Sequence, residues 1–171
     1  MARSLRGPLV AVCGPSAPRD QDLAAAREVG ALLAERGATL ICGGLGGAMA
    51  AAAAGARENG GVVVGILPGD DPAEAGPDVE IALATGLGEM RNCLIARSAS
   101  AMIAIGGGVG TLSEIAFALV LGKPVAGIDT WQLRSPRGVA TADVHPTQSA
   151  QEAVDWALGQ AGGAGSSVAA G

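Results

Sequence analysis

One carboxylate stands out by its isolation. Glu114 is the only charged residue between Arg97 and Lys123, on a segment otherwise almost wholly apolar. If that segment is a helix opened by the glycines before it, Glu114 lies one turn in, where the helix dipole favours negative charge. Burial there without a partner would be costly, so a counter-charge or a ligand is implied. Carboxylates in such surroundings cluster at functional sites. Arg91, near the start of the preceding helical segment, is the natural counter-charge. Arg97, six residues further on, lies about 120° away around that helix and cannot point the same way.

The chemistry this pair could serve is set by the glycines. Gly43-Gly44-Leu45-Gly46 and Gly107-Gly108-Val109-Gly110 repeat one pattern 64 residues apart, each after an apolar run. Glycine at a strand-to-helix turn lets backbone N–H groups approach an anion at the helix N-terminus. The expectation is two anion cradles: Gly43, Gly44, Gly46 and Gly47 in the first, and Gly107, Gly108 and Gly110 with the Thr111 hydroxyl in the second. Such glycines also permit tight turns and close helix–sheet packing; the repetition favours ligand binding. Neither turn is a dinucleotide fingerprint, because Met49 and Ser113 stand where the third glycine belongs. Asp129, nineteen residues past Gly110, could imitate a ribose-binding acid. Lys123 is the sole lysine and lies between a helix and the start of a strand. That is the wrong edge for a Schiff-base or phosphate lysine, and it argues against a pyridoxal-phosphate mechanism.

These residues must be held by alternating strands and helices. Strands are expected at Leu9–Cys13, Thr39–Cys42, Val62–Leu67, Val79–Leu83, Ala101–Ile105 and Pro124–Ile128. Helices are expected at Asp20–Arg36, with Leu23, Ala26, Gly30 and Leu33 on one face, and at Gly46–Asn59, Gly88–Ser100 and Gly110–Leu121. Residues 129–146 read as irregular. Ser149 and Glu152 match a capping box that opens a last helix running through Leu158. The alternation predicts a doubly wound, three-layer α/β sandwich with a mostly parallel sheet and ligands at the carboxyl ends of its strands.

Composition narrows the classes. Glycine is 28 of 171 residues, against a usual share of about 7%, without the three-residue period of collagen. Sixteen acids and eleven bases give a net charge of −5, which disfavours nonspecific grip on nucleic acid. Residues 37–56 are uncharged and long enough to span a bilayer, but four glycines in their middle would leave backbone groups unpaired in lipid. No secretory signal is convincing at the N-terminus. The three cysteines, Cys13, Cys42 and Cys93, form neither a disulfide framework nor a metal spacing. A cytoplasmic protein that requires no metal and no cofactor is expected. Trp131 and Trp156 read as packing residues, and His145 is assigned no role.

Arg91, the second glycine turn and Glu114 together resemble the Lonely Guy (LOG) family and its wider SLOG superfamily, whose members are often mislabelled lysine decarboxylases. The Pro-Gly-Gly-x-Gly-Thr-x-x-Glu motif is similar to Gly106-Gly107-Gly108-Val109-Gly110-Thr111-Leu112-Ser113-Glu114, with only the proline changed. The earlier Gly-Gly-Gly-x-x-Gly-Leu-Met motif resembles Cys42 to Met49. The Met-His-x-Arg-Lys segment falls on Gly88 to Asn92, where only Arg91 survives. The resemblance covers about residues 8–158 and implies a single Rossmann domain over 1–158; residues 159–171, rich in Gly, Ala and Ser with no charge and little to bury, are expected to form a flexible tail.

The resemblance also implies an activity, cleavage of the N-glycosidic bond of nucleoside 5′-monophosphates. Gly107, Gly108, Gly110 and Thr111 would hold the phosphate. Arg91 and Glu114 would flank the ribose, and Glu89 is only a candidate second acid. The altered segment looks closer to a SLOG branch related to molybdenum-cofactor carrier proteins, which implies carriage of a phosphorylated pterin rather than hydrolysis. Both classes stay open, as do the roles of Arg97, Glu89, Asp129 and the cysteines. A homo-oligomer, dimer or tetramer, is implied by the family. DNA-processing protein A, a third relative, is disfavoured by acidity and scarce aromatics.

Overall fold

The structure, a computed structural model, describes residues 7–133 and 143–163. Strands β1 (Leu9–Cys13), β2 (Thr39–Cys42), β3 (Val63–Leu67), β4 (Ile81–Ala84), β5 (Ala101–Ile105), β6 (Val125–Ile128) and β7 (Val144–Thr147) form one sheet. Helices α1 (Asp20–Glu35), α2 (Ala48–Glu58), α3 (Asn92–Ser98), α4 (Val109–Val120) and α5 (Ala150–Gly163) cover it. Every pairing is parallel, in the order β4-β3-β2-β1-β5-β6-β7. The chain therefore winds outward from β1 to β4, crosses back beside β1, and winds the other way from β5 to β7. The reversal opens a crevice outside the carboxyl ends of β1 and β5, where sheets of this kind receive ligands.

Burial follows the layers. β3 and β5 are buried along their whole length, as continuous apolar runs in a doubly covered sheet should be. One core joins Val10, Val12, Leu40 and Ile103 to α1, α2 and α5 through Leu33, Ala52 and Val154. The other joins Ala11, Cys13, Ile41 and Met102 to α3 and α4 through Ile95 and Ile115. Helices α1 and α2 touch backbone to backbone. A Cβ on Gly30 would overlap the Ala52 carbonyl, and one on Gly55 would overlap the Arg27 carbonyl. An Arg27–Glu58 ion pair spans the same two helices.

Several expected boundaries move for physical reasons. The buried face of α1 is Asp22, Ala26, Val29, Gly30 and Leu33, and Leu23 is exposed. Helix α2 starts at Ala48 because Gly47 has a φ of +69° that no helix accepts. Gly88 has a φ of +56°, so Gly88–Arg91 forms a 3-10 turn before α3. The stretch expected to be irregular ends inside β7, which pairs with β6 in register and carries Pro146; an edge strand tolerates proline. Ser149 Oγ accepts the Glu152 N–H at 3.2 Å and the Glu152 carboxylate accepts the Gln148 N–H at 2.8 Å. Helix α5 then runs to Gly163, past Leu158. The rest of the expected tail, 164–171, and residues 134–142 lie outside the described residues.

The α1–α2 contact yields a test. Gly30→Ala must push apart two backbones, so it should cost about 2 kcal/mol or more of stability. Urea denaturation should show a lower midpoint with an unchanged slope; an unchanged midpoint would refute the close contact.

Candidate functional site

The two glycine turns, alike in sequence, have different surroundings. The first follows β2. Gly44 and Gly47 have φ of +74° and +69°. A Cβ on Gly43 would fall on the Arg91 guanidinium, and one on Gly47 would crowd Ser16 Cα at 2.7 Å. The Ala48 N–H, first in α2, donates to the Pro15 carbonyl at 3.1 Å. Most of this turn is therefore filled from within; only Gly46 faces open space.

The second turn, after β5, is open at its α4 end. Gly106 (φ +61°) lies over the Asp22 carboxyl group, and Gly108 caps α4 with no side-chain hydrogen bond. A Cβ on Gly110 would meet nothing within 4 Å. The first N–H groups of an α-helix have no intrahelical partner. Thr111, 2% exposed, turns a hydroxyl without a partner into the same place.

Arg91 and Glu114 come together on the α3–α4 side, buried to 6% and 4% exposure. No direct ion pair joins them, since the salt bridges among the described residues lie elsewhere. Arg91 Nε and Nη1 and Glu114 Oε1 have no hydrogen-bond partner. Burial pushes the Glu114 carboxyl up to about 7, against the pull of Arg91 and with a small push from Glu89. Unpaired burial of this kind is costly, and a raised carboxyl is suited to proton transfer near neutral pH. Asn92, beside Arg91, donates to Ser113 Oγ at 2.8 Å and ties α3 to α4. Arg97 and Glu89 are exposed. Burial raises the Cys13 thiol well above its usual range and the Cys42 thiol to about 11, so neither is an activated nucleophile.

A second constellation, of which sequence reasoning singled out only Asp129, lies across the crevice. Asp22 at the start of α1 is buried and grips Arg19 through two side-chain bonds of 3.0 and 2.7 Å. Arg19 also donates to Asp129 at 2.7 Å, and Asp129 holds a φ of +46°. Trp131 donates its indole N–H to the Gly108 carbonyl at 3.1 Å. The available signal was the Arg19–Asp22 spacing at a helix start; nothing local pointed to Trp131. Trp156, by contrast, packs on a core cluster and stacks on His145 at 4.5 Å.

A parallel sheet wound both ways from a glycine-lined crevice defines a Rossmann-like α/β protein. The chain belongs to the SLOG cluster4 family, whose sequence pattern matches residues 8–155. It is similar to the molybdenum cofactor binding protein of Rippkaea orientalis, at 35% identity and a TM-score of 0.81 over 90% of this chain and 96% of that one. It is also similar to the molybdenum cofactor carrier protein of Chlamydomonas reinhardtii, at 32% identity and a TM-score of 0.81 over 92% and 99%. Among curated proteins it matches a cytokinin riboside 5′-monophosphate phosphoribohydrolase of Mycobacterium tuberculosis. That match is 36% identical over 130 residues, 70% of this chain and 68% of the relative. Among the described residues no helix is long and apolar enough to cross a membrane.

Glu114 makes stability depend on pH. Its carboxyl titrates near 7 in the folded chain and near 4.3 when unfolded. The folded state thus binds the extra proton, and stability falls as pH rises between those values. Glu114→Gln should exceed the parent in stability by on the order of 3–4 kcal/mol at pH 8, the gap shrinking to about 1 kcal/mol at pH 5. Denaturation curves at the two pH values check this; a gap independent of pH would refute the raised carboxyl.

Proposed function

We propose that this chain binds a phosphorylated heterocycle with its phosphate on the N-terminus of α4, and that it hydrolyses the N-glycosidic bond of a nucleoside 5′-monophosphate. The observation that carries the reading is the buried Arg91–Glu114 pair, both members without a partner, one helical turn from an open cradle. The N–H groups at Gly107, Gly108 and Gly110 and the Thr111 hydroxyl hold the phosphate. Gly43 leaves the space that Arg91 fills, with Gly44, Gly46 and Gly47 shaping that wall. Water adds to the ribose C1′ as the bond to the base breaks. The bonding pair leaves with the base nitrogen while the Glu114 carboxylate accepts a proton from the water; that proton then passes to the base and restores the carboxylate. Arg91 orients the ribose. The products are free base and ribose 5-phosphate. The likeness to the phosphoribohydrolase supports this reading.

One observation favours a second reading, carriage of molybdenum cofactor without catalysis. Glu89 and Asn92 replace the histidine and lysine of the LOG segment, and Asn92 is committed to Ser113. The likeness to the cofactor-binding and carrier structures extends over nearly their whole length.

The reading includes a homo-oligomer in the cytoplasm, without nucleic acid as partner. Ile81 and Leu83 on β4, and Leu87, Met90 and Leu94 on the segment after it, are all exposed, an apolar surface that a second copy would cover. A monomeric mass in sedimentation would refute the oligomer.

The decisive test is incubation with a panel of nucleoside monophosphates, assayed for released base. Hydrolysis requires release, and Glu114→Ala should cut it by about 100-fold or more. Gly110→Val, whose side chain enters open space, should abolish ligand binding with the fold intact. No release by the parent, with molybdopterin binding by calorimetry, would establish carriage instead.

A further inference from the structure

The crevice continues on the far side of the cradle from Glu114. A cleft of about 610 Å³ is walled by Pro15, Ala17 and Arg19 after β1, Gly107 after β5, and Asp129 and Trp131 after β6. Neither Arg91 nor Glu114 lines it. Strands β2, β1, β5 and β6 are consecutive in the sheet, so the turns after β2 and β6 are three strand spacings apart, roughly 14 Å. A ligand whose phosphate sits on α4 can therefore extend two ways: toward Arg91, or toward Trp131.

Trp131 is placed as a platform. It belongs to neither apolar core, remains 38% exposed, and is fixed by its indole N–H on the Gly108 carbonyl. A Cβ on Gly107 would come within 3.2 Å of its Nε1, so residue 107 is glycine where the indole lies against the turn. Arg19, held by buried Asp22, is the cation of this wall among the described residues. Its third contact, Asp129, is exposed and can be exchanged for a phosphate oxygen. The buried, unpartnered Thr111 hydroxyl beside Gly108 marks the point from which such a ligand would extend.

We infer that the crevice has a second subsite, formed by Trp131 and Arg19, for an aromatic ring joined through a further phosphate to the one on α4. The ligand class is a pyrophosphate-bridged molecule with a ring beyond its phosphates. The inference rests on the proposed phosphate cradle and deepens it. The missing dinucleotide fingerprint does not oppose it, because the fingerprint binds pyrophosphate at the turn after a first strand, whereas these phosphates would lie after β5.

The test compares adenosine 5′-monophosphate with P1,P2-di(adenosine-5′) diphosphate on the full chain, by calorimetry and tryptophan fluorescence. The diphosphate should bind about tenfold more tightly, the usual effect of stacking one base, and should quench fluorescence. Trp131 and Trp156 are the only tryptophans, so Trp131→Phe assigns the quench. Trp131→Ala should bring the affinity ratio near one, and Arg19→Gln should reduce it. Equal binding of both probes by the parent, or a quench that persists in Trp131→Phe, would overturn the subsite and leave the cradle standing. Binding of neither probe would overturn both.

Discussion

The Arg91 guanidinium occupies the volume that a side chain at residue 43 would need, and much of the crevice follows from that exclusion. Glycine at 43 lets a cation of α3's leading turn reach the end of β2. The cation in turn makes it tolerable to bury Glu114 nearby on α4. Neither group is satisfied by the other, so both keep interaction energy in reserve. In a low-dielectric setting, unpaired polar groups are expensive. A fold that keeps two of them side by side carries a cost that a ligand can remove.

The same economy of side chains runs through the rest of the crevice. Gly106 lies over buried Asp22, which fixes Arg19, while Gly107 lies under Trp131. Gly110 faces open space. Three glycines in one turn thus serve three purposes: one admits a carboxylate, one admits an indole, and one leaves room. The first turn has a similar sequence but is mostly filled by its own neighbours. Similar glycine strings need not make similar sites, because what matters is which side chains arrive from elsewhere in the sheet.

Hydrolysis and carriage place different demands on this arrangement. Hydrolysis needs Glu114 to meet a ribose, and its carboxyl near 7 suits proton exchange with water. Carriage needs only that the ligand be held. The replacement of the LOG histidine and lysine touches the first demand and not the second. Relatives named for each activity resemble this chain, so the chemistry at C1′, rather than the fold, distinguishes the two readings.

Periodicity and punctuation by themselves determined the layered architecture. Short apolar runs alternating with helical segments read as buried strands of a parallel sheet, and the repeated glycine pattern pointed to the turns where a sheet of this kind binds. Glu114 was legible as a lone charge on an apolar helix, and Arg91 as its neighbour. What local pattern could not carry was anything created by contact across the sheet. Strand β7 is four residues with a proline, held by pairing with β6 rather than by its own propensity. Leu23 and Val29 exchanged places because the face of α1 is set by where α2 crosses it. Trp131 reads as core filler in a sequence, since an indole is mostly apolar. Only the tertiary structure shows it outside both cores, because its partner, the Gly108 carbonyl, is 23 residues away and reaches it only once β5 and β6 lie side by side.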